Sequence, residues 1–224
     1  MKCLITILLL IIGVSCIGCK DKIYFSENYL QQGYIITNSE DTVRGNFKFN
    51  ILAGHDYLVV FNSGLNQNIQ VFTPYTSKSF HFEDIHLDNT LRSFYSFVYN
   101  DDLQYSDYKT KHFFEIHYVP RISLDSLGNR TRNDKKFALL TRTFLAVDYN
   151  NLPLMVTHFY LMDDEYKIYD LRYDTRGGDG AYKNFYKIIG KDKAKFIKKF
   201  RRRHKLHLNN VPDMKFIMGI VNSL

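Results

Sequence analysis

Gly33-Tyr34-Ile35-Ile36-Thr37, Asn38-Ser39-Glu40-Asp41 and Thr42-Val43-Arg44-Gly45-Asn46-Phe47-Lys48-Phe49-Asn50-Ile51 follow one another and decide the fold. Val43, Gly45, Phe47, Phe49 and Ile51 fall on one parity, and Arg44, Asn46, Lys48 and Asn50 on the other. A period of two sorts residues onto two faces only if the chain is extended. The apolar run before it and the turn-forming residues between them make the whole a β-hairpin whose second strand is half buried.

The same signal continues outward. Tyr57-Leu58-Val59-Val60-Phe61 is apolar on both parities, as a strand covered on both faces would be, and stops at Asn62-Ser63-Gly64. Further strands are expected at 69–73, 79–82, 91–99 and 112–119. Two more hairpins follow: 142–148 and 154–161 flank Tyr149-Asn150-Asn151, and 166–173 lies across Asp163-Asp164-Glu165. The polar stretch 126–134 reads as a loop. Tyr and Phe number 17 and 18 against 4 Pro, which favours sheet over disorder. Sequential strands on short turns predict an α+β protein, mainly β, with an antiparallel sheet or open barrel. Usual sheet sizes suggest about eight strands.

At Arg176-Gly177-Gly178-Asp179-Gly180 the period changes from two to nearly four. Tyr182, Phe185, Tyr186 and Ile189 share one helical face, and Phe196, Ile197 and Phe200 are expected to point inward from a second helix. Met214, Ile217, Ile220 and Val221 mark a third, started by Pro212. The C-terminus is therefore expected to be a short helical layer packed on the sheet.

The other end of the chain is an export segment. Lys2 precedes about a dozen nearly uninterrupted apolar residues, and small residues Ser15 and Gly18 follow. The run is too short for a bilayer core, which takes about 20 apolar residues. All three cysteines, Cys3, Cys16 and Cys19, lie within it, so the body holds no internal disulfide. One cysteine left at a new N-terminus is odd for an exported protein unless its thiol is used. Cys16-Ile17-Gly18-Cys19 resembles the bacterial lipobox, which implies acylation at Cys19 and cleavage before it. Cleavage before Cys16 is the second reading, and an ordinary signal peptidase site the third. The expected organisation is a signal peptide at 1–18, a tether at 19–32, a β-rich domain at 33–175, a linker at 176–180 and a basic helical tail at 181–224.

Charge is distributed unevenly. Residues 19–180 carry 17 Lys/Arg against 21 Asp/Glu, whereas residues 181–205 carry 11 basic residues against Asp192 alone. Lys195, Lys198, Lys199, Arg201, Arg202 and Arg203 form the densest cluster and are the candidate contact for anionic lipid or acidic polysaccharide. Export argues against nucleic acid. The plainer reading is that these residues are the solvated faces of helices packed by their apolar sides.

Gly33-Tyr34-Ile35-Ile36-Thr37 followed by Asp41-Thr42-Val43-Arg44-Gly45 resembles a hairpin recurrent in a family of secreted proteins and lipoproteins of Bacteroidota bacteria. Glu40 stands where that family often has glycine. The family also tends to finish with a sheet hairpin and a short helical tail, to which 143–173 and 182–221 are similar in order and spacing. The resemblance implies an envelope protein and brings no activity with it.

Chemistry-bearing clusters are few. His81-Phe82-Glu83-Asp84-Ile85-His86 holds the residue types of a zinc or general acid/base site. On a strand, however, His81 and Glu83 face one way and Asp84 and His86 the other, so a metal would meet one His and one carboxylate per side. Glu115 and His117 share a face, His112 is opposite, and His158 lies between Val156 and Tyr160. No His-Glu-x-x-His, Gly-x-Ser-x-Gly or cysteine nucleophile accompanies them. Arg176-Gly177-Gly178-Asp179-Gly180 lacks the lysine of a phosphate loop and reads as a linker. Asn129-Arg130-Thr131 matches a glycosylation sequon, without consequence in a bacterial lipoprotein. No cofactor or metal is expected. The sequence thus predicts a membrane-anchored lipoprotein of the cell envelope with a binding or structural role. An envelope hydrolase built on His81, Asp84 and His86 is the alternative, and a domain docked on an anionic membrane through its basic tail is another.

Overall fold

The computed structural model describes residues 31–52, 55–61, 69–84, 89–99, 110–120, 135–147, 153–171 and 183–224. The strands are β1 (Gln31–Thr37), β2 (Thr42–Leu52), β3 (His55–Phe61), β4 (Ile69–Phe72), β5 (Ser77–Asp84), β6 (Thr90–Tyr99), β7 (Thr110–Tyr118), β8 (Phe137–Val147), β9 (Pro153–Asp163) and β10 (Ile168–Asp170). They form one antiparallel sheet in the order β10-β9-β8-β7-β6-β5-β1-β2-β3-β4, open at both edges. The sheet is antiparallel and not closed, as the sequence indicates, and each of the ten segments read as strands contains one, although β8 begins five residues before the expected 142 and β10 is confined to Ile168–Asp170. β1 begins two residues before the expected start of the body. The turn at 149–151, the polar stretch 126–134, the linker at 176–180 and everything before Gln31 lie outside the described residues.

The hairpin that opens the fold pairs Gly33 with Gly45 and Ile35 with Val43. Its turn places Glu40 at φ 71°, the left-handed conformation that glycine adopts without strain. β1 then pairs with β5, not with a sequence neighbour, and Gly33 lies opposite Phe82. A Cβ on Gly33 would run into the His81 carbonyl oxygen and approach Phe47 Cε2 to 2.8 Å and Phe82 Cα to 2.9 Å. Only glycine permits this approach of two strands.

Because β1 sits between β2 and β5, the register places Ile35, Phe47, Phe80, Phe82, Phe94 and Phe113 in one buried cluster. Phe80 stacks on Phe94 at 4.4 Å and meets Phe113 edge-on at 4.9 Å. The sheet curls enough to bring β2 to β8 and β3 to β7. Phe114, Ala138, Leu140, Tyr160 and Met162 pack on the reverse face with Tyr99.

Helices α1 (Lys183–Ile189), α2 (Lys191–His204) and α3 (Val211–Ser223) cover the β8–β9 end of the first face. Phe137, Leu139, Phe159 and Leu161 meet Phe185, Ile189, Ala194, Ile197, Met214, Ile217, Met218 and Val221 there. Asn210 caps α3 by accepting from the Asp213 N–H at 3.1 Å, and Pro212 follows in the first turn. Asn222 then fastens α3 to the sheet: its Oδ1 accepts from Phe137 N–H and its Nδ2 donates to Phe137 O, both at 2.8 Å. Lys136 Nζ donates to the Asn222 carbonyl.

Candidate functional site

Among the described residues, charge is concentrated in two places. The first is a buried ion network on the helix-bearing face, between the phenylalanine cluster and the helices. Register sets Arg92 opposite Phe82 and Glu115 opposite Phe94, so the two side chains meet diagonally across β6 and β7. Arg92 Nε and Nη2 donate to the two oxygens of Glu115 at 2.8 and 2.6 Å, the paired geometry that suits a guanidinium. Arg92 Nη1 donates to Asp84 Oδ2 at 3.1 Å. The guanidinium also lies over the rings of Phe82 and Phe94, 5.4 and 5.2 Å from their centroids.

Only 4% of the Arg92 side chain is exposed. Burial opposes its charge, but hydrogen bonds and attraction from Glu115 and then Asp84 outweigh that, so its pKa is raised. His117 extends the network, with Nε2 2.7 Å from Thr141 Oγ1 and 3.6 Å from Glu115 Oε2. Burial pushes the His117 pKa down, Glu115 pulls it up, and the charges of Arg92 and Lys215 push it down again, with a net lowering. The imidazole is therefore neutral near pH 7.

Glu115 and His117 thus share a face as the alternation indicates, and His112 points the other way with Phe114. His81 and Asp84 do not converge. His81 lies on the reverse face between Ser93 Oγ at 2.9 Å and Ser79 Oγ at 3.0 Å, stacked on Tyr34. Asp84 faces Arg92 on the other side of β5. His86 lies outside the described residues, as do Cys16 and Cys19. His158 sits on the reverse face beside Tyr160. Among the described residues no group of three His, Cys, Asp or Glu is placed to hold a metal.

Sequence reasoning did not select Arg92. Its signal was parity: Arg92 and Phe94 share a face, and an arginine on an apolar face needs carboxylates. Which carboxylates depends on strand register, and the connections at 85–88 and 100–109 leave that open in the sequence.

The second place is the outer surface of α2 and α3. Lys195, Lys198, Lys199, Arg202 and Arg203 are exposed on α2, and Arg201 is partly covered, donating to the Leu206 carbonyl at 3.4 Å. Lys198 Nζ lies 4.6 Å from the Tyr186 ring centroid. Ile197 is fully buried, but Phe196 is 48% exposed and Phe200 only half-buried, which corrects the expectation that all three point inward. Residues 196 and 197 lie about 100° apart around a helix, and Ile197 with Ala194 takes the side facing the sheet. Phe196, Phe200 and Phe216 of α3 then form a row, each ring 6.0 Å from the next, with Phe216 56% exposed.

No family model, curated protein or solved structure matches the chain. Among the described residues, no helix is long and apolar enough to cross a membrane.

Proposed function

We propose that the chain is an exported bacterial lipoprotein, acylated at Cys19, whose β-rich domain is a binding or structural module at the cell envelope. The observation that carries this reading is the confinement of Cys3, Cys16 and Cys19 to an apolar N-terminal segment behind Lys2. A thiol at the mature N-terminus then has a use, and the disulfide-free body needs none. The disposition of the polar groups supports the second half of the reading. Asp84 and Glu115 are directed onto Arg92, and His81 onto two serines, so these side chains hold strands to one another.

The test is metabolic labelling with a radioactive fatty acid in cells expressing the chain. Label is expected on the wild type and on Cys16→Ala, and none on Cys19→Ala. Label that persists in Cys19→Ala would falsify the assignment of the anchor.

A further inference from the structure

We infer that the Phe196–Phe200–Phe216 row and the basic residues beside it are a docking surface for an anionic phospholipid bilayer, one that orients the domain with α2 and α3 against the membrane. The inference rests on the envelope reading for the presence of a membrane nearby, and not on acylation. Its first support is the row itself: three phenylalanine rings in contact, with Phe196 and Phe216 about half exposed, on a helical layer whose other side is fully packed. Contiguous exposed apolar surface of this kind marks an interaction site.

The second support is charge. Lys199 stands three residues from Phe196 and Arg203 three from Phe200, the spacing that puts residues side by side on a helix, and Lys195 and Lys215 are the chain neighbours of Phe196 and Phe216. All four are exposed. Opposite charge is scarce here: Asp192 stands at the start of α2, and Asp213 is engaged by the His207 N–H at 2.8 Å. Apolar rings bordered by lysine and arginine fit the headgroup boundary of a bilayer, where rings enter about 5–10 Å and cations stay among the phosphates. Polysaccharide or nucleic acid could stack on a single exposed ring, but only a bilayer offers one apolar phase to a row of three rings together with anionic headgroups to the cations beside it. α2 is 14 residues long and strongly basic, so it lies in the plane of the interface and does not cross it.

The chain contains no tryptophan, which makes a site-resolved test direct. Full-length Phe196→Trp, Phe216→Trp and Tyr75→Trp are each mixed with vesicles of phosphatidylglycerol carrying brominated acyl chains. Tyr75 is the control: it is 54% exposed, and its hydroxyl meets the Lys111 N–H near the start of β7, whereas the helices pack at Tyr118. Those two ends of the strand are about 20 Å apart. The indoles at 196 and 216 are expected to shift to the blue and lose intensity, and the indole at 75 to change in neither respect.

High salt, phosphatidylcholine vesicles, or Lys199→Glu with Arg203→Glu should each abolish the effect, because a bilayer attraction between charges is screened within a Debye length. Equal quenching at all three positions, none at 196 and 216, or equal quenching in phosphatidylcholine overturns the inference. So does a concentration-dependent blue shift without vesicles, which would make the row a contact between two copies of the chain. A lipid anchor alone brings no particular face to the bilayer but would hold the protein on phosphatidylcholine and in high salt, so the salt and headgroup contrasts are read in the Cys19→Ala background. The same profile in Cys19→Ala would keep the docking surface while rejecting the anchor, and label without the profile would do the reverse.

Discussion

Arg92 is the cation of the buried ion network. It stands between two carboxylates and over two rings, so removing it leaves Asp84 and Glu115 buried without their cation. Arg92→Ala is predicted to cost about 3–5 kcal/mol, the range for one partner lost from a buried ion pair. A urea unfolding midpoint equal to wild type would contradict this. Replacing all three by Met, Asn and Gln should cost far less, because no charge is then left buried. His117 and His81 both have pKa values lowered from 6.5, chiefly by burial. In each case the unfolded chain binds the proton more readily, so the stability they contribute is present above about pH 6.5 and is lost as pH falls towards the folded values. The urea midpoint should drop on acidification through that window, and less steeply in His117→Gln.

At the scale of elements, pattern was legible and partnership was not. Strict alternation in 43–51 located β2, and each segment read as a strand contains one, but the bounds are less legible: β8 begins at Phe137, five residues before the expected 142. The pairing of β1 with β5 is invisible locally, because three strands, β2, β3 and β4, lie between them in the chain; the fit of Gly33 against the His81 carbonyl reveals it. The last strand is shorter than the apolar run suggests. Asp163 ends β9 by accepting from the Glu165 and Lys167 N–H groups and from the Tyr169 hydroxyl, so pairing resumes only at Ile168. That hydrogen bond and burial together push the Tyr169 pKa up to about 12, with burial the larger cause. For the helices, periodicity identified Ile197, Met214 and Ile217 as buried, but assigned Phe196 and Phe200 the same face. On α2 Ile197 and Ala194 take the buried side, and Phe196, about 100° round the helix from Ile197, is left half exposed in contact with Phe200, which in turn meets Phe216 of α3. The join between helix and sheet is most exposed to test at Asn222. Asn222→Ala removes both partners of the Phe137 backbone, at a cost of about 1–3 kcal/mol for buried groups left unpaired. Hydrogen exchange at the Phe137 amide should rise well above that of neighbouring β8 amides; an unchanged rate would show that α3 is held by its apolar face alone.

At the scale of the whole molecule, an acidic body and a basic helical tail are parts of one fold with opposite surfaces. The layer that carries Phe196 and Phe216 is held to the sheet by the apolar cluster around Ile197, Met214 and Ile217 and by the Asn222–Phe137 hydrogen bonds, while the ion network ties β5, β6, β7 and β8 to one another. A lipid at the N-terminus would hold such a domain near a bilayer, and the aromatic row would then choose which side faces it. The lipid at Cys19 comes first, and mass spectrometry of the mature N-terminus tests it most directly. The account predicts that the first peptide from membrane-extracted protein begins at Cys19 and carries the mass of its acyl groups. A first peptide that begins at Cys16 or Met1, or an unmodified Cys19, would contradict it.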